Sequence, residues 1–225
     1  MDWDAILLTL KLDAVVCVIL TGIGLPIAYW VAFSPWRWKF LVEAVVALPL
    51  VLPPSVLGFY LLVAMGQHSP LGKAYSLIFG HGLPFTFGGL VLASVVYSLP
   101  FMVQPVSASF RAVDRQLLAA SALLGASRLR TFGRVVVPLS LGGILTGLVL
   151  TFAHTLGEFG VVLMVGGNIP GVTRTISISV YDSVQALNYA SAATTSFALL
   201  IASFVILCAV YAINRRGWTV GTTAH

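Results

Sequence analysis

The sequence predicts an all-α integral membrane protein of five to six transmembrane helices, folded as one domain over residues 1–225. Three observations carry this. Charged residues make up only 8% of the chain and hydrophobic ones 59%, where a soluble domain has roughly a quarter charged, so lipid must be the solvent for much of it. Five apolar stretches, at residues 13–33, 40–65, 87–110, 135–155 and 189–213, each reach the ~20 residues that cross a bilayer. The basic residues are segregated: nine of the twelve Lys and Arg follow the first, third and fifth stretches.

The first stretch comes after Met1-Asp2-Trp3-Asp4. A secretory signal begins basic and has a shorter apolar core, so a retained helix is expected here. Pro26, Pro49, Pro53, Pro54, Pro100 and Pro105 lie in or beside the first three stretches. Proline removes a backbone bond and clashes with the preceding turn, and in lipid the freed carbonyls need protein or water. These prolines are either packing kinks or, at Val51-Leu52-Pro53-Pro54-Ser55, the lining of a path to which Pro53 and Ser55 contribute.

Residues 111–134 carry Arg111, Arg115, Arg128, Arg130 and Arg134. Each would cost about 2.5–3.5 kcal/mol at mid-bilayer, far more than the apolar residues 117–124 return, so the segment lies outside the lipid. The excess of positive charge places this loop and the tail 214–225 in the cytoplasm and the N-terminus outside. In the fourth stretch, Gly143-x-x-x-Gly147 is expected to allow close helix packing. Beyond it come Leu156-Gly157-Glu158-Phe159-Gly160, five apolar residues, and the turn-forming Gly166-Gly167-Asn168-Ile169-Pro170-Gly171. Residues 161–165 are too few to span, which suggests a re-entrant or half-buried piece on the outer side, tolerated where it lines a cavity.

Other functions lack their residues. The nearest approach to a phosphate-binding loop, Gly66 to Gly72-Lys73-Ala74, has five residues between the glycines and alanine in place of the hydroxyl. His68, His81, His154 and His225 are isolated, without metal-site spacing, and His154 is expected to be a packing residue. Cys17 and Cys208 sit in apolar runs and read as small packing side chains. Basic residues scattered over three loops without aromatic platforms argue against nucleic acid.

Within the arginine loop the order is Ala119-Ala120-Ser121, Gly125 and Val135-Val136-Val137-Pro138. This resembles the E-A-A-x(3)-G-x(9)-I-x-L-P motif of ABC importer permeases: the glycine, the nine-residue gap and the proline match. Ala119 stands where the family has glutamate, Ser121 replaces the second alanine, and Val135 and Val137 replace Ile and Leu. Residues 48–54, Val96-Tyr97-Ser98-Leu99-Pro100-Phe101, the Gly-Glu-Phe-Gly piece and residues 167–175 are similar to molybdate/tungstate permeases, over about residues 48–216.

The resemblance implies a type I ABC importer permease fold whose coupling loop, residues 111–134, docks on a cytoplasmic ABC ATPase dimer through Ala119, Ala120, Ser121, Gly125, Ala126, Arg128 and Pro138. It implies a homodimer in a bacterial or archaeal inner membrane, served by an extracytoplasmic oxyanion-binding protein. ATP would be bound by the partner, so neither cofactor nor catalysis is expected of this chain. Without the glutamate at Ala119 a salt bridge there is lost, and the arginines that follow are available for polar contacts. Pro53, Ser55, Glu158 and Asn168 are expected at the path and its outer gate. A carboxylate repels an anion, so Glu158 is expected to order the broken backbone by accepting amide hydrogen bonds.

Energetics favour an energised importer. Drawing a divalent anion into a negative interior works against about 2.3 kcal/mol per charge per 100 mV, or roughly 5 kcal/mol for two charges. A sulfate or thiosulfate permease of the same design is the alternative. A membrane enzyme would need a polar constellation within the spans, and an anion channel would not need the loop.

Overall fold

The protein, described over residues 2–218 by a computed structural model, is built from helices, with no strand among the described residues. Helix α1 (Trp3–Phe33) starts ten residues before the predicted stretch. Asp2 caps it, its Oδ1 accepting the Ala5 N–H at 3.0 Å, and Lys11 is accommodated with its Nζ 4.8 Å from the centre of the Phe87 ring.

The second expected span is broken into two helices, α2 (Lys39–Val51) and α3 (Pro54–Met65), bent by 115°. Pro54 disfavours helical backbone at Pro53, and neither proline has an N–H to continue the ladder. Leu52 is accordingly extended, at φ −72° and ψ 136°. The 12 residues of α3 reach only about 18 Å, short of a bilayer. Next come α4 (Pro70–Phe79), capped by Ser69 Oγ on the Gly72 N–H at 2.8 Å, and α5 (Phe87–Arg111), capped by Thr86.

Two short helices follow, α6 (Arg115–Leu123) and α7 (Arg128–Thr131). A π-helical turn over Phe132–Val136 and the three-residue α8 (Val137–Leu139) lead to α9 (Leu141–Gly157). The fourth predicted span is also bent near its start: the segment Arg128–Leu139 meets α9 at 74°. Pro138 cannot donate to the carbonyl four residues back, and the widened turn before it absorbs the ring. Ser140 sits at the corner, with φ −107° and ψ 10°.

Helix α10 (Gly160–Gly166) is the expected half-buried piece, seven residues long, with Val161, Val162 and Val165 fully buried. Helix α11 (Ile176–Gln185) follows, and α12 (Tyr189–Trp218) packs on α11 and α9. The predicted tail is helical as far as Trp218, and residues 219–225 lie outside the described residues.

Helix α5 is the axis of the bundle, packed against α1 and α9. Leu12, Val16, Leu20, Leu90, Met102, Val106 and Phe110 form the main core, and Leu57, Met65, Ala93, Val161 and Val165 tie α3 and α10 to α5. In lipid, dispersion and close approach hold such helices together, and the glycines supply the approach. A Cβ on Gly143 would stand 2.2 Å from Ser109 Cβ, and one on Gly147 3.1 Å from the Met102 carbonyl. Helices α1 and α5 start at the same end, where Lys11 meets Phe87, and finish together at the aromatic group Tyr29, Phe33, Phe110 and Phe132. At that end Arg111 pairs with Glu43 of α2.

Candidate functional site

Two regions carry the residues that the sequence singles out. At the arginine-bearing end, α6 begins with Asp114 Oδ1 accepting the Gln116 N–H at 2.8 Å, and α7 with Ser127 Oγ accepting the Arg130 N–H at 3.3 Å. Between them the chain reverses at Gly125, at φ +72°. The Gly125 N–H bonds the Ala122 carbonyl at 3.0 Å and the Ala126 N–H bonds the Ser121 carbonyl at 3.1 Å. This paired arrangement closes a helix on a left-handed residue, a conformation glycine adopts without strain. Ser121 Oγ and Thr131 Oγ1 are 2.8 Å apart and join the two helices.

Neither α6 nor α7 contains a buried residue. A cavity of about 660 Å³ separates them from the last turns of α1, lined by Tyr29, Trp30, Phe33, Leu118 and Ala122 among others. Ala119, Ala120, Gly125, Arg128 and Pro138 are exposed, and Ser121 and Ala126 are half-buried. Sequence reasoning missed the apolar tip: Leu123, Leu124 and Leu129 are 89%, 87% and 80% exposed. The available signal was their place flanking the turn glycine.

The second region is where the two broken helices meet. A Cβ on Gly160, at the start of α10, would lie 2.7 Å from Pro54 Cβ, at the start of α3. The α2–α3 corner and the α9–α10 break are thus in contact. Pro53 and Ser55 are exposed at this corner.

Glu158 caps the C-terminal end of α9 through its backbone, its N–H bonding the Thr155 carbonyl at 3.3 Å. The expected capping by its side chain is corrected: Glu158 is 4% exposed, neither carboxylate oxygen accepts a hydrogen bond, and α10 starts without a side-chain cap. The backbone at Glu158 is extended, φ −66° and ψ 130°, which carries its side chain into the bundle and away from the amides of α10. Ser94 Oγ is beside it without completing a hydrogen bond. Asp13 of α1, which the sequence reading passed over, is sealed with both oxygens unpartnered and close enough for its charge to interact with Glu158. An aspartate within an apolar run was the available signal.

Asn168 lies elsewhere. It donates to Asp182 Oδ2 at 2.6 Å and accepts from Arg174 Nε at 2.7 Å, while Arg174 pairs with Asp182 at 3.2 Å and Asp2 at 3.8 Å. This network fastens the Gly-rich turn to α11 and to the start of α1. His154 has Nδ1 2.9 Å from Ser98 Oγ and its ring 4.0 Å from that of Phe101 and 4.5 Å from that of Tyr97. No group of three or more His, Cys, Asp or Glu residues that could hold a metal occurs among the described residues.

A bundle centred on one helix, with two broken spans and a helical hairpin projecting from one end, is the architecture of ABC transporter membrane subunits. The fold superposes on the inward-facing MetNI methionine ABC transporter with a TM-score of 0.75, covering 96% of this chain and 95% of that one, at 18% identity. It matches a bacterial ABC transporter that imports the acidic polysaccharide alginate with a TM-score of 0.73, over 95% of this chain and 78% of that one, also at 18% identity. These likenesses establish the fold.

Residues 24–218 match the family described as binding-protein-dependent transport system inner membrane component, and the chain belongs to that family. It is 50% identical to the molybdenum transport system permease protein ModB of Azotobacter vinelandii over 214 residues, 95% of each chain. It is 40% identical to ModB of Escherichia coli K12 over 82% of this chain and 80% of that one. To the putative molybdenum transport system permease protein YvgM of Bacillus subtilis it is 36% identical, over 90% and 89%.

Proposed function

We infer that the chain is the membrane permease of an ATP-driven importer for molybdate or tungstate, working as two copies with a cytoplasmic ATPase dimer and an extracytoplasmic binding protein. Support for the substrate class comes from the molybdenum permeases to which the chain is similar along almost its whole length. The observation that carries the coupled mechanism is the projecting α6–α7 hairpin, set by Gly125 and tipped with Leu123, Leu124 and Leu129. Apolar side chains displayed outside the lipid on a rigid two-helix element fit a groove in a partner. The backbone reversal and the Ser121–Thr131 bond let the hairpin pass a push to the bundle as one piece.

The ATPase partner hydrolyses ATP, and this chain converts the partner's motion into exposure of the path on alternate sides. The test is assembly. The permease is expected to co-purify with its ATPase, a cysteine at Ala120 to crosslink to one in the ATPase groove, and Leu124→Asp to weaken the association at least ten-fold. Retained association in Leu124→Asp, or labelling of Ala120 only from outside intact cells, would reject the hairpin as the coupling surface. Sulfate held by the cognate binding protein in place of molybdate would move the substrate to the alternative.

A further inference from the structure

Three polar side chains of α5 and α9 keep polar atoms that no described residue bonds. Gln104, two-thirds of the way along α5, is exposed, and no described residue bonds its amide. Tyr97, seven residues earlier on the same helix, is half-buried with a hydroxyl that is neither bonded nor among the sealed polar atoms of the protein. His154 of α9 is half-buried between Tyr97 and Phe101. Ser98 holds its Nδ1 at 2.9 Å and is itself 3.0 Å from Thr155 Oγ1, while Nε2 is unbonded and not sealed.

These groups share one face. Tyr97, Phe101, Gln104 and Arg111 recur at helical spacing on α5, over about 21 Å. His154 borders this stripe on the α9 side. A small cavity opens on the other side, where Glu43 of α2 stands opposite Gln104 and Arg111. A carboxamide, a phenol and an imidazole bared toward hydrocarbon would leave their polar atoms unsatisfied. Polar groups at this depth face a water-filled or protein-lined passage.

We propose that this α5–α9 edge is the surface the oxyanion touches in transit, and that His154 is its principal donor. When Ser98 donates to Nδ1, the imidazole N–H sits on Nε2, the ring nitrogen that no described residue bonds. Neutral donors suit such a passage, because they replace some of the anion's hydration without the fixed charge that would trap it midway. Arg111, at the end of the row and paired with Glu43, is held in a pair that neutralises it. In a pair of copies, two such rows would face one passage.

The proposal rests on the reading of the chain as an oxyanion permease. Its test is initial molybdate uptake into proteoliposomes carrying the permease and its ATPase, with binding protein added, at equal amounts of assembled complex. His154→Phe keeps a stacked ring and removes the donor, His154→Gln returns an N–H, and Gln104→Leu alters an exposed position that packing does not need. The expected result is a ten-fold or greater loss in His154→Phe and in Gln104→Leu, with His154→Gln recovering a third or more of the wild-type rate. Wild-type uptake in His154→Phe and Gln104→Leu overturns the proposal, as does an equal loss in His154→Phe and His154→Gln. Should His154→Phe fail to assemble, Gln104→Leu decides alone. No oxyanion uptake by the wild-type assembly is a different outcome, which removes the functional reading and the proposal with it.

Discussion

Asp13 is a costly placement in the bundle. A buried polar group without a partner costs about 1–3 kcal/mol, and both Asp13 oxygens are unpartnered in a fully sealed site close to the equally unpartnered Glu158. Asparagine has the same shape and removes an ionisable group from that site. Asp13→Asn is therefore expected to keep or raise the thermal midpoint of the purified protein; a clear fall would mean that the carboxylate holds a partner. At Gly125 the constraint is the reverse, since a Cβ there meets nothing within 4 Å and only the backbone objects. A left-handed φ costs an ordinary residue about 1–2 kcal/mol, and asparagine visits it routinely. Gly125→Val is expected to insert normally yet lose most uptake, and Gly125→Asn to retain much of it. Equal uptake in the two would separate the turn from coupling. The need for φ > 0 at Gly125 was legible from its place between two short helices. The burial of Glu158 was not, because its neighbours come from α1 and α5, more than sixty residues away in sequence.

At the scale of elements, prolines explain what the sequence concealed. Pro26, Pro49, Pro100 and Pro105 all lie inside continuous helices, whereas Pro53-Pro54 produces a 115° corner. One proline costs a helix one bond and a local clash; two in succession also push the first of them out of helical backbone. The Pro-Pro pair was visible, yet apolar periodicity alone cannot distinguish a span from two half-spans. Helix α1 was read short, from Asp13, although Lys11 before it finds the Phe87 ring beside it. The Gly143-x-x-x-Gly147 contact was legible, and it makes a sharp contrast. Gly143→Leu would drive a side chain into Ser109, an overpacking that costs about 1–3 kcal/mol or more. Gly22→Ala meets open space in the interior of α1 and is expected to be neutral or to stabilise by up to ~1 kcal/mol through helix propensity. Melting of the two variants in detergent checks this, and equal effects would show that α5 and α9 are not closely packed.

Across the whole molecule, the paired charges lie at the ends, while Asp13 and Glu158 are sealed within the bundle. The arginine-rich hairpin, the Glu43–Arg111 pair and the aromatic group gather at one end, and the Asn168–Arg174–Asp182 network lies elsewhere, joined to Asp2 at the start of α1. The scarcity of charge made the membrane class legible, and the Gly125-to-Pro138 spacing made the transporter class legible. Which face meets lipid, a second copy or the path was hidden, because hydrophobic composition is alike on all three. The most direct measurement of the central claim is molybdate uptake into proteoliposomes that contain the permease, with ATPase and binding protein each added or withheld. Uptake is expected only when both partners and ATP are present, and to be lost in Leu124→Asp. Uptake without ATP, or no uptake of molybdate or tungstate with every component present, would contradict it.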